Sequence, residues 1–157
     1  MVLIIDPQIA GISGDMILSS LVNLGANKSR IIEGIYTAES FLDNSKIINI
    51  DFVSVQKNGK DATQLILEID ESVHERKATD VKNCIIESSK KIGLSKSGVN
   101  FVTNTINTLI SAESKVHGES ESSVHFHEAA SIDTVVDIIG TAIALDDLNL
   151  FNDEENY

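Results

Sequence analysis

Three of the four histidines, His117, His125 and His127, crowd one short stretch of the chain. In an extended segment, residues two apart face the same side, roughly 6.5–7 Å from each other along the chain. His125 and His127 can therefore share one ion, while Phe126 between them turns into apolar packing. Imidazole suits Zn, Cu, Fe and Ni, so the ligand type points to a transition metal. Two aspartates follow at once, Asp133 and Asp137, four apart and so on one face of a helix. That helix carries Ile132, Val135, Val136, Ile138, Ile139, Ala142, Ile143 and Leu145, which wrap most of its circumference and mark it as buried. A buried carboxylate needs a partner. A cation, a histidine, a lysine or backbone donors from a neighbouring loop would serve. Taken singly, the histidines read as a surface or packing pair and the aspartates as a solvated face; their conjunction puts a metal site on an equal footing with those readings. Glu128 is a further ligand candidate or simply helps to open the helix, where negative charge is favourable. Gly140 leaves room for another backbone to approach.

A second constellation is Gly11-Ile12-Ser13-Gly14-Asp15-Met16, between an apolar run and a helix. Its glycines let backbone come close to a ligand, and a helix N-terminus offers free N–H groups to an anion. It lacks the Lys-Ser/Thr pair of a P-loop and the third glycine of a dinucleotide fingerprint. Asp15 would repel phosphate unless a cation intervened, so a glycine turn with a capping aspartate is the competing reading. Lys115 and His117 end a long helix just before the His-x-His segment. Lys115 either neutralises an aspartate or anionic group, or answers the negative end of its helix dipole. His74, within a polar stretch, reads as surface.

The elements that must hold these groups can be read from periodicity. Residues 2–5 predict a buried strand, ended by Asp6-Pro7. A helix runs from about Asp15 to Leu24 and stops at Gly25, and a second covers about 28–37. Alternation through Ile48, Ile50, Phe52 and Val55, the pair Asn58-Gly59, and then Leu65, Leu67 and Ile69 predict a β-hairpin. Helices follow over 79–91, about 97–116 and 129–148, with a polar linker at 118–123. The expected fold class is α+β: the hairpin and the N-terminal strand form a small sheet packed on about five helices. The expected domain is 1–148, with 149–157 a disordered acidic tail.

The chain has 157 residues, 42% of them hydrophobic but only 4% aromatic, so one core of Ile, Leu, Val and Ala is expected. A formal net charge of −12 argues against nucleic-acid binding, which needs clustered cations. The single cysteine, Cys84, excludes a disulfide framework or CxxC site and reads as a core residue. No apolar run approaches the roughly 20 residues of a membrane span, and the N-terminus lacks the basic region of a signal peptide. The expected location is the cytoplasm, with no membrane partner.

The set Gly11-Ile12-Ser13-Gly14-Asp15-Met16, Glu113-Ser114-Lys115-Val116-His117-Gly118, Val124-His125-Phe126-His127-Glu128, Ile132-Asp133 and Val136-Asp137-Ile138-Ile139-Gly140 resembles the LarC family in order and spacing, across essentially the whole chain. The resemblance implies nickel insertion into pyridinium-3,5-bisthiocarboxylic acid mononucleotide, a CTP-dependent chelatase (lyase) reaction using Mg or Mn that matures the nickel-pincer cofactor of lactate racemase. It departs from the family at Ala129-Ala130-Ser131, where Val-Gly-Ala is common, and at Ile9-Ala10, where an aromatic-Ser pair is frequent. Family members continue into a C-terminal CTP-binding domain, so this chain reads as the N-terminal part. Alone it is not expected to bind CTP or to be active. The implied metal set is His117, His125, His127, Asp133 and Asp137; Gly11, Ser13, Gly14, Asp15 and Lys115 are expected to face the cofactor precursor. The implied partners are that domain and the precursor, and homo-oligomerisation stays open. Competing readings are a non-catalytic metal-binding or scaffold domain, and a metal-dependent hydrolase of a phosphorylated small molecule.

Overall fold

The structure, a computed structural model, describes residues 3–8 and 11–151, and of Glu128 only the backbone. Its elements are α1 (Gly14–Asn23), α2 (Lys28–Glu39), β1 (Ser45–Lys57), β2 (Lys60–Glu71), β3 (Arg76–Lys77), α3 (Ala78–Ile92), α4 (Lys96–His117), β4 (His125–Phe126), a 3-10 turn (Glu128–Ala130) and α5 (Ile132–Asp147).

The α+β class expected from the sequence holds, and so do the five helices. The hairpin β1–β2 forms as expected, antiparallel and closed by Lys57 opposite Lys60. Asn58 and Gly59 both take positive φ, 52° and 74°, as a tight primed turn requires. One irregularity interrupts the ladder between Ile47 and Asn49.

The expected N-terminal strand does not form. Residues 3–5 pair with no described strand and lie exposed, while Val2 falls outside the described residues. Instead the hairpin stands alone, and β3 and β4 make a second two-stranded sheet. An apolar run becomes a strand only when it reaches an edge to pair with; residues 3–5 lie instead against Ile17, Leu21 and Leu24 and pair with neither edge of the hairpin.

Helix α5 is the centre of the molecule, as its nearly all-round apolar sequence implies. It packs against α1, α2, α3 and α4. Ile132, Ile139, Ala142, Ile143 and Ala144 have no exposed surface. Gly140 admits a close neighbour, but the neighbours are side chains: a Cβ there would lie 2.7 Å from Leu18 Cδ2 and 3.3 Å from Ile35 Cδ1. The core is aliphatic, with Leu18, Ile31, Ile35, Val81, Ile85, Val102 and Ile106 fully buried and Phe126 its one large aromatic among them.

The acidic end of α5 sits against its own helix dipole but serves two others. Asp147 Oδ2 accepts from the Asn27 amide at 2.7 Å, beside the start of α2, and Asp146 Oδ2 accepts from the Ser95 amide at 3.0 Å, at the start of α4. Arg30 joins Asp147 at 3.3 Å. The chain past α5 folds back: the Leu150 amide donates to Leu145 at 2.9 Å, and the Phe151 ring lies 5.6 Å from that of Phe101.

A candidate metal-handling site at the start of helix 5

Gly11 takes φ +72°, and its amide donates to the Pro7 carbonyl at 2.9 Å, so the chain turns before entering α1. Ser13 is extended and starts the helix, and its hydroxyl donates to Asp15. Gly14, the first residue of α1, lies against α5. A Cβ built on it would fall 2.2 Å from the Asp137 carboxyl carbon. Here the glycine is required by a protein contact, the Asp137 side chain, within the bare chain.

This contact brings Asp15 within electrostatic range of Asp137, with Asp133 one turn earlier on α5. Burial, and then the charges of Asp133 and Asp15, push the Asp137 carboxyl up to about 6. Among the described residues no hydrogen-bond donor reaches its carboxylate. Asp133 is exposed in the first turn of α5, where its Oδ1 accepts from the Thr134 amide at 2.7 Å. Each side of the cluster opens onto a cavity. Asp15 lines a 620 Å³ cleft between α1 and the hairpin, with Met16, Asn23, Lys57, Thr63 and Gln64. Asp137 lines a groove between α4 and α5, with Thr105, Thr108 and Thr134.

The histidines form a second group. Phe126 is fully buried, as expected, and β4 is extended. His127, however, leaves the extended conformation, with φ −106° and ψ −65°. Its ring lies 5.4 Å from that of His117, tilted by 57°. His117 Nε2 is 3.2 Å from Glu113 Oε2, and His127 Nδ1 is 4.0 Å from Glu75 Oε2. His125 is half-buried in the β3–β4 pair, its residue opposite Lys77. Lys115 is exposed in the last turn of α4, where its charge suits the helix end. No three His, Cys, Asp or Glu side chains among the described residues converge as a ready ligand set. Of the residues singled out in the sequence, Asp137 thus feels the charges of Asp15 and Asp133, and His127 pairs with His117 rather than with His125, which sits in the β3–β4 pair. Cys84 is buried, its thiol pushed up to about 12 by burial, and His74 is exposed, both as expected.

Sequence reasoning missed the device that seats this segment. Arg76 and Glu71 are each 8% exposed and paired at 3.2 Å. Arg76 donates to the carbonyls of Ala130 at 2.9 Å and Asp43 at 2.6 Å. Glu71 accepts from the Ile132 amide at 3.3 Å, at the first residue of α5. Ser131 is extended with ψ 153°, so α5 starts at Ile132, three residues later than the apolar period suggests. The available signal was Glu71 at the close of a strand and Arg76 five residues on, but a polar stretch gives no hint of burial.

Among the described residues, no helix is long and apolar enough to cross a membrane. The family model described as "Nickel insertion protein" matches residues 3–154. The chain is 36% identical over 141 residues to the pyridinium-3,5-bisthiocarboxylic acid mononucleotide nickel insertion protein of Staphylococcus saprophyticus, covering 90% of this chain and 34% of that protein. The protein of the same name from Staphylococcus epidermidis is 37% identical over 142 residues, covering 90% and 33%. A Methanosphaera stadtmanae relative, whose name also places it in nickel insertion, is 39% identical over 159 residues, covering 96% and 37%. The chain spans about one third of the length of these relatives. No solved structure matches. With a family model matching nearly its whole length and these relatives beside it, the chain belongs to the nickel insertion protein family, the LarC family.

Proposed function

We propose that this chain carries the nickel-handling part of a machine that inserts nickel into pyridinium-3,5-bisthiocarboxylic acid mononucleotide. The observation that supports it best is Asp137: a carboxylate without a described donor, pressed on Gly14 and shifted toward the neutral form by burial, Asp133 and Asp15. A divalent ion is the partner that relieves this arrangement, because it neutralises the clustered charge and supplies the missing contact.

Asp137 and Asp133 hold the ion with Asp15 beside them, and His117, His125 and His127 are its imidazole ligands on the way in or out. Binding favours the ionised form of Asp137 and so competes with the proton that its raised affinity would otherwise take up as pH falls. Carboxylate oxygen is a hard donor, whereas sulfur is soft and binds nickel more strongly. A thiocarboxylate presented in the adjoining cleft therefore draws the ion from Asp137. The 620 Å³ cleft beside Asp15 falls in the range of small-molecule sites and takes a mononucleotide. Gly11, Ser13 and Gly14, in the turn that leads to Asp15, are the candidates to approach the precursor, and Lys115 supplies positive charge for an anionic ligand at the imidazole side. CTP with Mg or Mn belongs to the remaining two thirds of the family protein, which is this chain's partner in the reaction. Cytoplasmic maturation of a soluble precursor fits that role.

Calorimetric titration of nickel tests this reading. Wild type should bind, and Asp137→Asn and His125→Ala/His127→Ala should each weaken binding by about tenfold or more, as loss of a metal ligand does. Equal binding by all three proteins, or binding by none, removes the site.

A further inference from the structure

Large apolar side chains left in solvent are concentrated at one place. Of the eleven exposed ones among the described residues, six are Leu3, Ile4, Ile5, Ile12, Met16 and Leu24. Ile4 is 83% exposed and Met16 54%. Leu3, Ile4, Ile5, Ile12 and Leu24 line a single 330 Å³ groove, floored by the half-buried Ile17 and by Leu21 of the core. Met16 adjoins it through Ser20, whose hydroxyl donates to the Met16 carbonyl at 2.7 Å. Scattered single apolar residues are ordinary, but a contiguous patch of this kind on α1 and the segment before it marks a surface that something else covers. Residues 3–5 also carry a β-branched pair, Ile4-Ile5, yet make no described backbone hydrogen bond. Such a segment is ready to take a strand from a partner.

We propose that this patch docks the remaining two thirds of a nickel-insertion protein. The occupant follows from length: the relatives carry about twice as much chain again outside the stretch matched here. It also follows from position. Met16 adjoins Asp15, and both line the cleft beside the carboxylate cluster. A body seated on the patch closes over Asp15 and contributes the ligands that the described residues do not gather by themselves. The proposal rests on the nickel-insertion reading for its partner, and on the patch for its location.

The test is co-expression of the 157-residue chain with the remaining two thirds of the Staphylococcus saprophyticus relative as a separate polypeptide, purified in EDTA. The two should co-purify. Ile4→Asp/Met16→Glu should weaken the complex by about tenfold or more, as losing central apolar anchors does. Val116→Asp, at a residue 78% exposed elsewhere, should leave it unchanged. Amide exchange at residues 3–5 should slow in the complex. Failure to co-purify, equal binding by the double variant, or equal weakening by Val116→Asp overturns the proposal. So does a dimer of the chain alone that Ile4→Asp/Met16→Glu dissociates, since the patch would then serve a second copy. Because EDTA removes metal, docking without nickel binding sinks only the functional reading, and nickel binding without docking sinks only this one.

Discussion

Asp137 is caught between an open groove and a packed helix start. Its carboxyl faces a groove between α4 and α5 on one side and Gly14 on the other, with Asp15 and Asp133 near enough to add repulsion. The folded carboxyl titrates near 6, against 3.8 ordinarily. The folded state therefore holds the proton more tightly than the unfolded chain, and stability falls as pH rises through that interval. Asp137→Asn removes the ionisation. It should stabilise the metal-free protein at pH 7.5 by about 1–2 kcal/mol, a value cut from the roughly 1.4 kcal/mol per unit because the group keeps some water. Near pH 4 the gain should vanish, and urea denaturation at the two pH values reads the difference. A variant no more stable at pH 7.5 would show that Asp137 already has a good partner. Gly14→Ala attacks the same contact from the other side. With Asp137 Cβ itself only 2.5 Å from the new methyl, α1 or α5 must shift. The expected loss is about 1–3 kcal/mol, with weakened nickel binding. Unchanged stability and affinity would mean that the two helices are not held together here.

Between elements, the Arg76–Glu71 pair fixes where the histidine segment and α5 begin. Burial pushes the Glu71 carboxyl up, but hydrogen bonds from Ser131, Ser45 and Arg76 outweigh it and leave it below the usual range. Its stabilising effect is present above the ordinary glutamate range and is lost as pH falls through the lowered folded value. Removing one partner of a buried pair strands the other, so Arg76→Ala should cost about 3–5 kcal/mol. Arg76→Lys should recover only part of this, because one ammonium cannot reproduce a guanidinium that reaches Ala130, Asp43, Ser45 and Glu71. Chemical denaturation of both variants checks the order. The contrast with the hairpin shows what was legible. Asn58-Gly59 and the alternation about it are local signals, and β1–β2 formed in the expected place. The helices expected over 79–91 and about 97–116 also formed, ending at Gly93 and Gly118, each with positive φ. Arg76 and Glu71 gave no such signal, because their burial is decided by Asp43, Ser45 and Ala130, which local pattern does not bring together.

At the scale of the molecule, the same division holds. The burial of α5 could be read from its own composition, whereas Asp15 meeting Asp137 depends on how α1 crosses α5. The apolar N-terminal run was legible as apolar, but its pairing was not, since residues 3–5 lie beside the first helix and join neither two-stranded sheet. Net charge remains a whole-molecule property: −12 on 157 residues means that the folded state repels itself, so salt should stabilise it. This gives a way to separate a nickel site from a general thirst for cations. Sodium chloride at about 0.5 M shrinks the screening length below roughly 5 Å and should raise the melting temperature of wild type and of Asp137→Asn alike. Nickel at 100 times its dissociation constant should add about 2.7 kcal/mol to a protein that binds it only when folded. In calorimetric melts at fixed 0.15 M salt, micromolar to millimolar nickel should therefore raise the melting temperature of wild type and leave Asp137→Asn/His127→Ala nearly unmoved. An equal rise in both would assign the effect to diffuse charge neutralisation and remove Asp137 and His127 as the groups that hold the ion.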